Sequence, residues 1–149
     1  IRIIDKALTA LEIENGASHS EIKISNDGEI KIIEIASRMG GDYIGSDMVP
    51  ISTGFDYVSN VIKISLGSEV DSTLINSQNI ALVKFIFNDT DIKKMQIIEK
   101  IWPNVIVESN VSSKMQIVKD SSTRNGFYIM SIKDDFTLEK ILDILDLKS

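Results

Sequence analysis

Gly16-Ala17-Ser18-His19-Ser20-Glu21-Ile22-Lys23-Ile24-Ser25, then Asn26-Asp27-Gly28, then Glu29-Ile30-Lys31-Ile32-Ile33-Glu34-Ile35-Ala36-Ser37-Arg38-Met39-Gly40-Gly41-Asp42: this stretch decides the fold. Two alternating segments, residues 18–25 and 29–38, flank an Asn-Asp-Gly turn, which is a strong short-range hairpin signal. A two-residue turn centred on Asp27-Gly28 sets Glu21 opposite Glu34 and His19 opposite Ala36, with Arg38 next along that face. Ile22, Ile24, Ile33 and Ile35 then point to the other face, read as core. Directly opposed Cβ atoms lie about 4.5–5.5 Å apart, and like charges so placed repel. The pair therefore needs a counter-charge. A divalent cation supplies one, since Mg²⁺ takes oxygen ligands, commonly one or two carboxylates completed by water and nucleotide phosphates. Arg38 on the same face suits a phosphate, which its guanidinium meets as a two-pronged fork. Together they would make a phosphoryl-transfer site, where positioning and charge neutralisation do most of the work. The alternative reading of the same residues is a solvated acidic face neutralised by Lys23, Lys31 or Arg38 with no metal. A one-residue slip in the turn would dissolve the pair altogether.

Working outward, Ile1, Ile4, Ala7, Leu8 and Leu11 recur at helical spacing, predicting a helix over 2–13 stopped by Asn15-Gly16. Met39 to Asp42 reads as a flexible polar loop and 49–54 as irregular chain leading into a helix over 55–66, closed by Gly67. Beyond a polar segment at 68–79, strands are predicted at 80–87, 105–107, 115–118 and 127–132, with helices at 91–101 and 137–147. The mixture lacks a strict βαβ rhythm, so the fold class is α+β. Asn88 reads as a helix cap and Trp102, before Pro103, as a helix-end anchor.

The 149 residues are enough for one domain or two small ones, and 43% hydrophobic content supports a core. A net charge of −6 gives phosphate backbones nothing to attract, so nucleic acid is not an expected partner. The absence of cysteine removes thiol nucleophiles, disulfides and Cys-type zinc sites. No apolar run approaches the ~18–20 residues of a membrane helix, no signal-peptide pattern opens the chain, and a cytoplasmic setting is expected. Neither a Walker-type Lys motif nor a dinucleotide GxGxxG is present. Gly40-Gly41 alone marks an ordinary turn as readily as a phosphate loop. His19, the one histidine, reads as a locally hydrogen-bonded residue or a ligand contact.

The motif Gly16-Ala17-Ser18-His19-Ser20-Glu21, followed by Glu34-Ile35-Ala36-Ser37-Arg38-Met39-Gly40-Gly41-Asp42, resembles the C-terminal end of the ATP-grasp fold. That superfamily includes carbamoyl phosphate synthase, biotin carboxylase and ligases joining carboxylates to amines. The resemblance implies an antiparallel sheet with packed helices over 1–67, a connecting segment at 68–79 and a small α+β subdomain over 80–149. It implies ATP and Mg²⁺, or Mn²⁺ in its place, held by Glu21 and Glu34 as metal ligands. Arg38 would be the catalytic contact to phosphate or acyl-phosphate, and His19, Gly40, Gly41 and Asp42 would lie near the acceptor substrate. The implied activity is an ATP-dependent ligase acting through an acyl-phosphate on small carboxylate and amine substrates. Its partners would be the N-terminal and central ATP-grasp subdomains of a longer parent, the chain opening at Ile1 inside a helix. Self-association as a homodimer is left open, and the fragment alone is expected to be inactive. Ala36 departs from the pattern, because the superfamily usually carries an Asn there as a further metal ligand. The competing readings are a degenerate, non-catalytic ATP-grasp module and a plain interaction domain. In the looser C-terminal likeness, Arg124 either reaches the site or merely caps a turn or pairs with an Asp.

Overall fold

A computed structural model describes residues 2–70 and 79–147. It is α+β, with two separate antiparallel sheets, and the chain divides into two compact units: Ile1–Ser46 with Phe55–Thr73, and Asp47–Gly54 with Leu74–Ser149.

The first unit opens with helix α1, Arg2–Ala10. It ends earlier than Asn15-Gly16 predicts, because Glu12 adopts a left-handed φ of 56°. The Ile13 amide then reaches back to the Leu8 carbonyl at 3.0 Å, the six-to-one bond that closes many helices. Strands β1, His19–Ile24, and β2, Ile30–Ala36, form the hairpin. Its turn has three residues rather than two: the Ser25 amide bonds the Glu29 carbonyl at 2.9 Å, and Gly28 sits at φ 84°. Ser25 Oγ donates to the Asp27 carboxylate inside the turn. Near the turn the register accordingly differs from the expected one, with Ile22 opposite Ile32 and Ile24 opposite Ile30. A bulge then leaves Ile33 without a partner and restores Glu21 opposite Glu34 and His19 opposite Ala36. The isoleucine face is less of a core than expected. Ile22, Ile32 and Ile35 are half-buried, whereas Ile24 is 60% and Ile33 64% exposed, because a two-stranded ribbon shields little on its own. Helix α3, Tyr57–Ser65, is capped by the Asp56 carboxylate, which accepts from the Ser59 amide at 3.1 Å. A π-helical turn, Ile44–Met48, follows the hairpin in the chain. The stretch 49–54, read as irregular, is helix α2, Val49–Thr53, whose Gly54 terminator has φ 73° and which belongs to the second unit.

In the second unit β3, Ile80–Phe85, and β4, Ile106–Val111, flank a central β5, Gly126–Ile132, each antiparallel to it. Helices α4, Asp89–Ile101, and α5, Asp135–Ile144, pack on the sheet. The core gathers Ile86, Ile98, Val105, Tyr128, Met130, Ile132, Ile141 and Leu145. Gly126, at φ 137°, lies so close to the Asn110 carbonyl that no Cβ fits there. Asn88 and Asp91 form a reciprocal capping box on α4, and Trp102 terminates that helix, both as read from the sequence.

The strand predicted at 115–118 does not form. Asn125, 1% exposed, accepts from the Gln116 amide at 2.8 Å and donates to the carbonyls of Gln116 and Phe87 at 2.9 and 3.0 Å. One side-chain amide thus takes the backbone groups that a neighbouring strand would have used.

Candidate functional site

β1 and β2 carry the candidate residues. Strand alternation sets His19 and Glu21 on one face of β1, and the bulge at Ile33 brings Glu34 into line with Glu21. The Glu21 side chain is 55% exposed, and its Oε1 lies 3.5 Å from His19 Nε2. Among the described residues no Lys or Arg comes within 4 Å of either carboxylate. The three cations that the solvated-face reading offered are engaged elsewhere or apart: Lys31 pairs with Glu29 at 3.7 Å, Arg38 Nη1 donates to the Met39 carbonyl at 3.0 Å, and Lys23 has no ion pair among the described residues. Two like charges thus face each other across the ladder with no Lys or Arg beside them among the described residues, a destabilising arrangement on its own.

As donors the pair fits Mg²⁺ held jointly with a nucleotide's phosphates, which asks for only one or two carboxylates. It does not make a metal cage unaided. No group of three or more His, Cys, Asp or Glu gathers among the described residues, and Ala36 offers no oxygen where a third ligand is expected.

The loop after β2 is shaped by close packing. Gly40 is buried: a Cβ there would lie 2.9 Å from His19 Nδ1 and 3.1 Å from both Ile44 Cβ and Cγ2. Gly41 is exposed with open space around it, and Asp42 and Tyr43 follow with left-handed φ values of 50° and 66°. Sequence reasoning missed one member of this cluster, Gly45. Gly45 is packed so that a Cβ would meet Met39 Cε at 2.7 Å and the Tyr57 ring at 3.1 Å. Tyr57 Oη in turn donates to the Ser18 carbonyl at 3.3 Å. No spacing rule links positions 39 apart, so only the folded chain reveals that contact. Arg124 is the residue that closes the short turn Ser121–Thr123, and its guanidinium lies over the Phe85 ring, 3.6 Å from the centroid, in the second unit.

This α+β chain has the fold of part of the ATP-grasp ligases. It resembles the L-amino acid ligase of Bacillus licheniformis with a TM-score of 0.72 and 22% identity, covering 97% of this chain and 38% of that one. Phosphoribosylglycinamide synthetase from Anaerococcus prevotii gives a TM-score of 0.72 at 17% identity, over 96% of this chain and 38% of that chain. Carboxyaminoimidazole ribonucleotide synthase from Aspergillus clavatus, solved with ATP, gives 0.67 at 15% identity over 98% and 37%. The chain therefore spans under two-fifths of the length of these structures. No protein-family model and no curated protein matches it.

Proposed function

We propose that this chain is the C-terminal portion of an ATP-dependent ligase that joins a carboxylate to an amine, or a related nucleophile, through an acyl-phosphate. The observation that supports this reading is the Glu21–Glu34 pair, opposed across the hairpin without a neutralising Lys or Arg among the described residues, in a chain with an ATP-grasp fold. Mg²⁺ bound with ATP would supply charge neutralisation at the transferring phosphoryl group. Glu21 and Glu34 are the residues that would hold that cation, which commonly takes one or two carboxylates. Arg38, exposed at the end of β2, turns from the Met39 carbonyl to grip the phosphoryl or acyl-phosphate oxygens. His19, Gly40, Gly41 and Asp42 form the wall nearest the acceptor. The remaining ATP-grasp subdomains of a longer parent complete the nucleotide clamp, so this chain alone turns nothing over.

The test is amine-dependent ADP release by the full-length protein containing this chain, screened against pooled amino acids and small carboxylates with Mg²⁺. Glu34→Gln is expected to lower that release ~100-fold or more, the scale of losing a transition-state charge contact, with the fold intact by circular dichroism. A second reading, a non-catalytic ATP-grasp module, is favoured by Ala36 and by the lack of a three-ligand cluster among the described residues. Release that is absent for every pool, or unchanged in Glu34→Gln, selects it.

A further inference from the structure

We propose that His19 is a positioning residue that links the Glu21 carboxylate to the Gly40–Tyr43 loop, so that the two move as one body. The inference builds on the reading of Glu21 as a cation ligand and goes beyond it by giving that ligand a mechanical partner. The His19 ring is the held element, its side chain 20% exposed, whereas the Glu21 carboxylate reaches into solvent at 55%. One ring edge, Nε2, lies 3.5 Å from Glu21 Oε1. The opposite edge, Nδ1, lies over buried Gly40, which fits only because it lacks a Cβ. Ile44 closes the slot from the other side, at 3.1 Å from that absent carbon.

The loop cannot slide away from the ring. Its backbone passes through two successive left-handed residues, Asp42 and Tyr43, a costly conformation that persists only where the surroundings enforce it. Its far end is tied as well: Gly45 packs against Tyr57, and the Tyr57 hydroxyl bonds the carbonyl of Ser18, the residue before His19. Ring, loop and hydroxyl thus form a closed circuit that returns to β1 one residue from where it began. A change at the Glu21 carboxylate reaches the loop through a single side chain, and one side chain can be removed.

Coupling between residues is established by non-additivity rather than by proximity. The experiment is a double-mutant cycle read from backbone ¹H–¹⁵N shifts of the metal-free chain. Glu21→Gln is expected to shift the Gly40, Gly41 and Asp42 amides in the wild-type background and to leave them in place in the His19→Ala background. His19→Gln, whose amide reaches the position of Nε2, restores the response; His19→Asn, polar but too short, does not, and it stands in for His19→Ala should the alanine variant fail to fold. A merely structural histidine would alter the starting shifts without altering the effect of Glu21→Gln. Equal loop shifts with and without His19 overturn the proposal. A second arm adds Mg²⁺ with ATP to the full-length protein containing this chain: in the wild type the Glu21, Glu34 and loop amides respond, and in His19→Ala only the strand amides do. If Mg²⁺ with ATP moves nothing while the metal-free cycle remains non-additive, the cation reading of Glu21 and Glu34 falls and the positioning role of His19 stands.

Discussion

Gly40 and Gly41 are neighbours with opposite constraints. A methyl group at position 40 would press on both His19 and Ile44, whereas at position 41 it would meet nothing within 4 Å. Gly40→Ala is therefore expected to destabilise the first unit by about 1–3 kcal/mol, the usual cost of overpacking. Gly41→Ala should change stability by less than ~0.5 kcal/mol. Urea unfolding followed on the β1 and β2 amides checks both, and equal effects would show that the His19 slot is not tight. The dipeptide alone reads as a turn, since the sequence holds no record of which glycine lies under a ring. Tyr128 is a second case. Its ring fills the core of the second unit, yet its hydroxyl is buried with no hydrogen-bond partner among the described residues. Burial first, then the negative charge of Asp91, push its ionisation well above the ordinary tyrosine range, so the hydroxyl stays protonated and unsatisfied. Tyr128→Phe removes a desolvated polar group and is expected to stabilise the unit by up to about 1 kcal/mol in a denaturant titration.

The hairpin is the element most legible from sequence, and it was reached by a route the structure corrects. Alternation and Asn-Asp-Gly disclosed two strands and the Glu21–Glu34 pairing, but the turn is one residue longer than expected and the bulge at Ile33 absorbs the difference. Turn chemistry is local and readable, whereas a bulge reflects strain along the whole ribbon. Deleting Ile33 should therefore leave the two glutamates opposite each other and remove only the extra twist. Cross-strand contacts between the Glu21 and Glu34 amide protons in nuclear Overhauser spectra would persist if so. The segment 115–118 failed as a strand for a different reason: its alternation is genuine, but Asn125 captures its backbone, and no periodicity announces a distant amide. The α4 terminus was readable from Asn88, and its Asp91 does more than cap. Burial alone would raise the Asp91 pKa, but hydrogen bonds from the Phe87 and Asn88 amides, with Lys84 at 3.1 Å, hold it below the usual carboxylate value. A depressed folded-state pKa adds stability that is present above about pH 4 and lost as the pH falls through the lower, folded value. The unfolding midpoint of the second unit should thus drop on acidification from pH 7 to about pH 3, and Asp91→Asn should flatten that drop while lowering stability by about 3 kcal/mol at pH 7.

At the scale of the molecule, apolar burial is unevenly shared. Among the described residues every fully buried hydrophobic side chain lies between Ile86 and Leu145, in the second unit, and the first unit has none. Stability that depends on such burial is expected to differ between the units, with amides of β5 exchanging far more slowly than those of β1 and β2. Trp102, the one tryptophan, packs against the second unit's core. Intrinsic fluorescence, the first assay usually applied to a new preparation, therefore watches the robust unit. A sample with a sharp single-tryptophan melt could have a frayed hairpin, its glutamates unmatched, and no change in emission would give it away.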